Sequence, residues 1–411
     1  MTLYTGTVGC PRCSAELPED QAFGGCPSCL AEGTPVNLVP RYQPLDGPVP
    51  FDGSQPGLFG WRALLPIAGS TRPVSLGEGG TPLVTAPALA SWLGVRSVLV
   101  KDESQNPTWS YKDRLAAVAV TKAAELGKDT VVVASSGNHA AAVAAYAAAA
   151  GIRCVVLSTR AVPPTMSTLL RIYGSELYLV ETAADRWRVM AEGVRQLGWF
   201  PVSGYQAPPV GSVPFGIEAY KTIAYEIQAQ LGPAVPSWVA VPVAYADGLA
   251  GIERGYQDLL ACGSIGRSPR MLAVEPLGAH AEALRHGGQV GGPVARRATV
   301  AFSTGSPWAT YQGLDALRRS RGAAEGDISD ADILAAQARI AQCAGIYMET
   351  ASAASMAALE RLATRGTLGQ DDDVLIVNTS SGLKTTEQTQ AILAPPPSIE
   401  PSLSALLAAR A

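Results

Sequence analysis

Charge is scarce in this sequence. Only 16 % of its 411 residues are Asp, Glu, Lys or Arg, against roughly 25 % in ordinary soluble chains. The small surplus is negative, a formal −4. A chain without basic excess lacks the electrostatic footprint of a nucleic-acid or anionic-membrane binder. Long apolar runs are missing too: 47 % of residues are hydrophobic, yet no stretch approaches the roughly 20 continuous apolar residues that cross a bilayer. Much of the apolar fraction is alanine. The opening MTLYTGTVGCPRC has neither the basic start nor the apolar run of a secretory signal. These absences predict a cytoplasmic protein that handles small molecules, with no nucleic-acid or membrane partner. Histidine is rare, and His139, His280 and His286 lack metal-ligand spacing. His280 and His286 are expected on the surface or in loops, His139 at a helix start.

Cysteine is sparse but patterned. Cys154, Cys262 and Cys343 are isolated, and read as free buried thiols. Cys10, Cys13, Cys26 and Cys29 form two CxxC units, CPRC and CPSC, separated by twelve residues. Residues 1–40 hold little else that makes a core, and a segment this short needs a staple. Four thiolates at this spacing suit a closed tetrahedral Zn²⁺ site. Two disulfides, unligated thiols or iron in the same sulfur geometry are the other readings.

From about residue 95 strand-like and helix-like segments alternate. SVLVKDE, TVVVAS, RCVVLST, SWVAVPV, MLAVEP and VLIVNTS are short β-branched runs; LAAVAVTKAAELG, HAAAVAAYAAAAG, AYKTIAYEIQAQLG and ASAASMAALERLATRG are helical. Such alternation predicts an α/β fold with parallel sheets. Ligands then bind at the carboxyl ends of strands, so the loops directly after strands are the informative ones. Three stand out. Ser135, Ser136, Gly137 and Asn138 lie between a buried strand and an alanine-rich helix, as an anion cradle or as a simple N-cap. Residues 244–248, Ala244, Tyr245, Ala246, Asp247 and Gly248, repeat the arrangement. Thr379, Ser380 and Ser381 follow a third strand. Three such loops fit a cofactor with several polar groups better than three unrelated caps.

With these loops the chain resembles the threonine synthase-like branch of the pyridoxal-5′-phosphate enzymes of the tryptophan-synthase-β type (fold type II). The motifs that carry the resemblance are SLGEGGTPL (75–83), KDE (101–103), NPTWSYKDR (106–114), SSGN (135–138), ETASAA (349–354) and TSSGLK (379–384), in family order over about residues 70–390. The resemblance implies two parallel-sheet domains with the cofactor between them: a larger one from 41–105 and 205–394, and a smaller one from 106–204 carrying SSGN. An amino-terminal zinc ribbon (1–40) and a tail (395–411) complete the organisation, and relatives suggest a homodimer. Lys112 would form the Schiff base with the cofactor aldehyde and serve as catalytic base. Asn138 would bond the ring 3′-oxygen, Thr379 the pyridine nitrogen, residues 244–248 the phosphate, and Ser135, Ser136 and Gly137 the substrate carboxylate. Trp109, where the family has glycine, is expected to shrink the substrate pocket and help desolvate Lys112.

The departures bear on substrate. AYADG replaces a glycine-rich phosphate loop, and Asp247 is unfavourable beside a phosphate unless it points away or caps its helix. Where relatives carry an asparagine and an arginine toward the substrate phosphate, this chain has Val213 and Gly216; a common upstream lysine is Met166. Two lost cations would weaken O-phosphohomoserine binding by about two to four powers of ten if nothing replaces them. The expectation is elimination or replacement at Cβ or Cγ of a different amino-acid substrate. The alternatives are threonine synthase proper, a serine/threonine dehydratase-type lyase, a cofactor-binding regulator without catalysis, and a structural protein held by its zinc ribbon.

Overall fold

The computed structural model describes residues 2–410. Strands β1 (Tyr4–Gly9), β2 (Glu16–Pro18) and β3 (Val39–Tyr42) form an antiparallel sheet in the order β2-β1-β3. The chain then enters β4 (Leu83–Thr85) and β5 (Ser97–Asp102), leaves to build a parallel sheet from β6 (Thr130–Ala134), β7 (Arg153–Thr159), β8 (Glu176–Val180) and β9 (Phe200–Pro201), and returns through β10 (Trp238–Pro242), β11 (Arg270–Val274), β12 (Ala323–Glu325) and β13 (Asp373–Asn378). The orders are β8-β7-β6-β9 and β12-β11-β10-β13-β5-β4, with only β4 antiparallel in the larger sheet. This is the α/β architecture expected from the alternating segments.

The larger sheet shows why its strands read as continuous apolar runs. On β10, Trp238 and Ala240 enter one core while Val239 and Val241 enter the other. β5 puts Val98 and Val100 into the first of these cores and turns Lys101 to the opposite face. A strand covered on both sides has no position where a polar residue is cheap. Low charge has the same origin in the helices. Residues 113–123 of Lys112–Glu125 and 138–147 of Asn138–Ala150 are all buried. The two helices pack side by side, and Ala140, Ala141, Ala142 and Ala144 are buried around the second.

The ribbon is continuous with this interior. Val8, Cys10, Cys26, Cys29, Val36 and Leu38 belong to the same buried cluster as the helix Lys112–Glu125, and Phe23 meets Phe200 and Phe215 edge-on. Of the remaining thiols, Cys154 is buried as expected, but Cys343 is exposed and Cys262 half-buried. The tail ends in an exposed helix, Leu403–Arg410. Among the described residues no helix is long and apolar enough to cross a membrane.

Gly255 marks where the helices Lys221–Leu231 and Asp247–Ala261 touch: a Cβ there would lie 2.5 Å from the Lys221 carbonyl oxygen. Alanine gains about 1 kcal/mol of helix propensity, whereas overpacking against backbone costs about 1–3 kcal/mol. Gly255→Ala is therefore expected to lower the denaturation midpoint. An increase would show that the two helices slide apart freely.

Candidate active site

Lys112 opens the helix Lys112–Glu125, and two features fix where it points. The first is an ionic network beneath the turn. The Arg114 guanidinium is fully buried; Nε and Nη2 donate to Glu103 at 2.7 and 2.8 Å, and Nη1 and Nη2 to Glu226 at 2.6 and 2.7 Å. Lys101 joins through Glu226 (2.8 Å) and the Thr81 carbonyl (2.7 Å). Burial pushes the Glu226 carboxyl up, but Arg114 and Lys101 outweigh it and bring it to about 2. The second feature is the turn itself. Thr108 donates from backbone and hydroxyl to Asp113 (3.1 and 2.8 Å), and Trp109 adopts φ +59°. That is the left-handed region that favours glycine.

The left-handed turn corrects the expectation for Trp109. Its ring is 48 % exposed and does not line the cavity. What the turn presents inward is backbone: the Trp109 carbonyl accepts from the Ser380 hydroxyl (3.0 Å) and the Ser381 N–H (3.2 Å), and Tyr111 N–H donates to the Thr379 carbonyl (2.9 Å). These bonds seat the loop after β13 against Lys112. Aromatic cover comes instead from Tyr111 and Tyr220, whose ring centres lie 4.9 and 5.7 Å from Lys112 Nζ.

A cavity of about 340 Å³ opens at this point, lined by Lys112, residues 135–138, residues 244–248 and Thr379. The three loops singled out in the sequence therefore meet in one place, at the carboxyl ends of β6, β10 and β13. The size lies within the range of small-molecule sites. Ala246 has φ +60° and starts the helix Asp247–Ala261, whose first amides have no helical acceptor. Asp247 is turned to protein donors: Ser212 N–H at 3.0 Å, the Ser212 hydroxyl at 2.6 Å and the Gln312 amide at 2.7 Å. The helix Asn138–Ala150 presents a second set of free amides behind Ser135 and Ser136.

Asn138 is held from both sides. Lys384 Nζ donates to its Oδ1 at 2.8 Å, and its Nδ2 donates to Glu349 at 2.7 Å. Lysine can only donate, which orients the amide and leaves one N–H for a ligand. His139 also lines the cavity; burial, aided by Lys112, holds it well below its ordinary value. His280, expected on the surface or in a loop, lies in the helix Ala279–Arg285. It is instead fully buried, with Nδ1 3.0 Å from Glu275 and Nε2 accepting from the Thr310 N–H at 3.2 Å. His286 is exposed beside Glu282.

Sequence reasoning missed Arg186 and Arg296, which line the cavity together with Trp187 and residues 302–307. Arg186 lies on Ala183–Leu197, a helix whose Arg188 and Arg195 are ordinary surface residues, so nothing in the pattern marks it. It has no acidic partner among the described residues: Nη1 reaches only the Ser136 hydroxyl, at 3.4 Å, and Nε is buried without a partner. Positions 166, 213 and 216, by contrast, do not line the cavity. Met166 and Val213 are in the core, and a Cβ on Gly216 would sit 2.8 Å from Leu115 Cγ.

The cysteine sulfurs lie within 4.8 Å of one another, with Cys10–Cys29 and Cys13–Cys26 at 3.6 Å. Four sulfurs 2.3 Å from a shared tetrahedral centre are about 3.8 Å apart, so the donor set fits one zinc-sized ion. The sulfurs are not bonded as disulfides.

Residues 74–380 match the family model described as pyridoxal-phosphate dependent enzyme. The chain belongs to the threonine synthase-like pyridoxal-phosphate enzymes. It is 32 % identical to threonine synthase of Methanosarcina acetivorans over 97 % of this chain and 96 % of that one. It is 34 % identical to threonine synthase of Methanocaldococcus jannaschii over 91 % and 92 % of the two chains. The fungal L-serine ammonia-lyase of Rhizomucor miehei superposes with a TM-score of 0.65 at 22 % identity, covering 79 % of this chain and all of that one, a likeness of fold. The chain is thus a lyase or synthase dependent on pyridoxal phosphate.

Burial depresses Lys384 to about 8, against the opposing pull of Glu349 and Asp113, while an unfolded lysine stays near 10.4. Between those values the unfolded chain binds more protons, so this residue makes stability rise with pH and the contribution is lost as pH falls through 8. Denaturant unfolding of wild type and Lys384→Met at pH 7.5 and 10 should show the wild type gaining on the variant at the higher pH. Parallel curves would contradict the burial argument.

Proposed function

We propose that this chain catalyses elimination or replacement at Cβ or Cγ of an amino acid whose departing group is anionic, and that O-phosphohomoserine is not its preferred substrate. The observation that carries the reading is Arg186, a half-buried guanidinium facing the same cavity as Lys112 without a carboxylate partner. Burial lowers its basicity, opposed only by Tyr245. Burying an unpaired cation is costly; an anionic ligand beside it recovers the cost. Arg296 adds a second cation. Both stand away from position 216, where the family's arginine would find no room against Leu115. The anion is therefore met by different elements than in relatives.

Bound pyridoxal phosphate supplies the electron sink that lets a proton leave Cα. Lys112, at the mouth of its helix, takes and returns that proton. The free amides behind Ser135 and Ser136 orient the α-carboxylate, and the amides of residues 244–248 with the helix dipole receive the cofactor phosphate. Asn138, fixed by Lys384 and Glu349, offers its remaining N–H to the ring 3′-oxygen. Thr379, bonded through its hydroxyl to Ser352 at 2.8 Å, presents a neutral group to the ring nitrogen. Asp247, saturated by Ser212 and Gln312, caps the loop rather than opposing the phosphate. The four cysteines hold a structural zinc ion.

A second reading, threonine synthase proper, is favoured by the near full-length similarity to chains of that name. One assay decides between them: release of phosphate and 2-oxo acid from O-phospho-L-homoserine, O-phospho-L-serine, L-serine and L-threonine. O-Phospho-L-serine should be preferred, and the two neutral amino acids disfavoured by about a hundredfold in kcat/KM. Arg186→Leu should raise KM for the phosphorylated substrate about 10- to 150-fold, the worth of one charge-assisted hydrogen bond, with a smaller change in kcat. Preference for O-phospho-L-homoserine would establish the second reading. Preference for serine would dispose of both.

A further inference from the structure

We propose that the four-cysteine ribbon positions the cofactor-phosphate loop, and that Asn37 is the positioning residue through which it does so. The inference rests on the reading that residues 244–248 receive the phosphate.

The link starts at the second cysteine pair. Residues 34–38 have no regular structure of their own. They are tied to the knuckle by Cys26 N–H to the Val36 carbonyl (2.8 Å) and Thr34 N–H to the Cys29 carbonyl (2.9 Å). Gly25, at φ +84°, permits that approach, since a Cβ there would stand 2.7 Å from the Val36 oxygen. The next residue is Asn37, only 3 % exposed. Its Nδ2 donates to the Ser212 carbonyl at 3.0 Å and toward Gln312 Oε1 at 3.4 Å.

Ser212 and Gln312 both hold the loop, together with the Thr310 hydroxyl on the Tyr245 carbonyl at 2.9 Å. Ser212 gives two hydrogen bonds to Asp247, and Gln312 Nε2 donates to the Tyr245 carbonyl and to Asp247, both at 2.7 Å. Ala246 between them keeps a left-handed conformation that costs a non-glycine residue about 1–2 kcal/mol, so the loop needs such restraint. Asn37 braces the Gln312 amide from the ribbon side, its Nδ2 meeting the amide oxygen while the amide nitrogen donates to the loop. With the amide oxygen accepting from Asn37, its nitrogen must face Tyr245 and Asp247. Without that donor the Gln312 oxygen and the Ser212 carbonyl lose their shared partner, and the two residues are tied only to the loop and no longer to the ribbon. The convergence is built in at Gly211 (φ +131°), where a Cβ would lie 2.8 Å from Asn37 Nδ2 and 2.9 Å from Asp247 Oδ1.

The test is the affinity of the full-length chain for pyridoxal phosphate, by equilibrium dialysis. Asn37→Ala should raise Kd about tenfold, the worth of a buried hydrogen bond with its orphaned partners. The isosteric Asn37→Asp, an acceptor in place of the donor, should do at least as much. Free pyridoxal, lacking phosphate, should bind both variants as it binds wild type. Glu16→Ala, on the exposed ribbon surface, should leave Kd unchanged. Removing zinc with a chelator should raise Kd in wild type, and much less in Asn37→Ala, because the two act through one link. Wild-type Kd in folded Asn37→Ala and Asn37→Asp would overturn the proposal. Ala244→Asp separates the two readings: if that added charge leaves Kd unchanged, the phosphate assignment itself is wrong. If it weakens binding while the Asn37 variants do not, only the ribbon link fails.

Discussion

Everything at the site depends on the Arg114 guanidinium being buried between two carboxylates. Arg114 sits two residues after Lys112, Glu103 follows β5, and Glu226 lies on the helix Lys221–Leu231, so one cation joins three elements under the catalytic turn. Lys101 balances the second carboxylate, and the group of four is formally neutral. Such an arrangement adds little net stability over a well-packed apolar core. Breaking it from one side costs about 3–5 kcal/mol. That asymmetry suits positioning, because any shift of the turn leaves a buried charge unmet. The residues involved belong to the KDE, KDR and KTIAYEI segments, which explains why charged residues persist in a chain otherwise poor in charge.

Around that anchor the cavity is assembled from strand-end loops that hold one another. Thr379 is bonded to the turn before Lys112, Asn138 to Lys384 and Glu349, and Asp247 to Ser212 and Gln312. Asn138, Asp247 and Thr379 thus each have a side-chain partner from another part of the chain. Asp247 illustrates how this changes a local judgement. As a bare carboxylate beside a phosphate it is repulsive; accepting three hydrogen bonds from neutral donors, it becomes the cap of its own loop. Unmatched charge in the cavity is positive, from Arg186 and Arg296, and that imbalance gives the substrate class its physical basis.

Much of this was legible in the residues. Short β-branched runs between helical segments specify a parallel α/β fold because both sheet faces are covered. Loops after strands mark the site because strand ends converge there, and Lys112, residues 135–138, 244–248 and Thr379 do converge. Four cysteines at paired spacing do meet in space. What failed was side-chain direction. Trp109 points outward because its backbone is left-handed, and His280 is buried because Glu275 and Thr310 receive it. Gly216, read as a missing cation, faces Leu115 rather than the cavity.

By itself, then, the sequence determined which elements form and which loops carry polar chemistry, since these follow from periodicity and local spacing, while its motifs carried the resemblance to a family. Only the tertiary structure decided which arginines face the cavity and that Asn37, beside the ribbon, bonds Ser212 and Gln312. Those facts are contacts between residues up to 275 positions apart, and no local pattern distinguishes a guanidinium turned toward a cavity from one turned toward water.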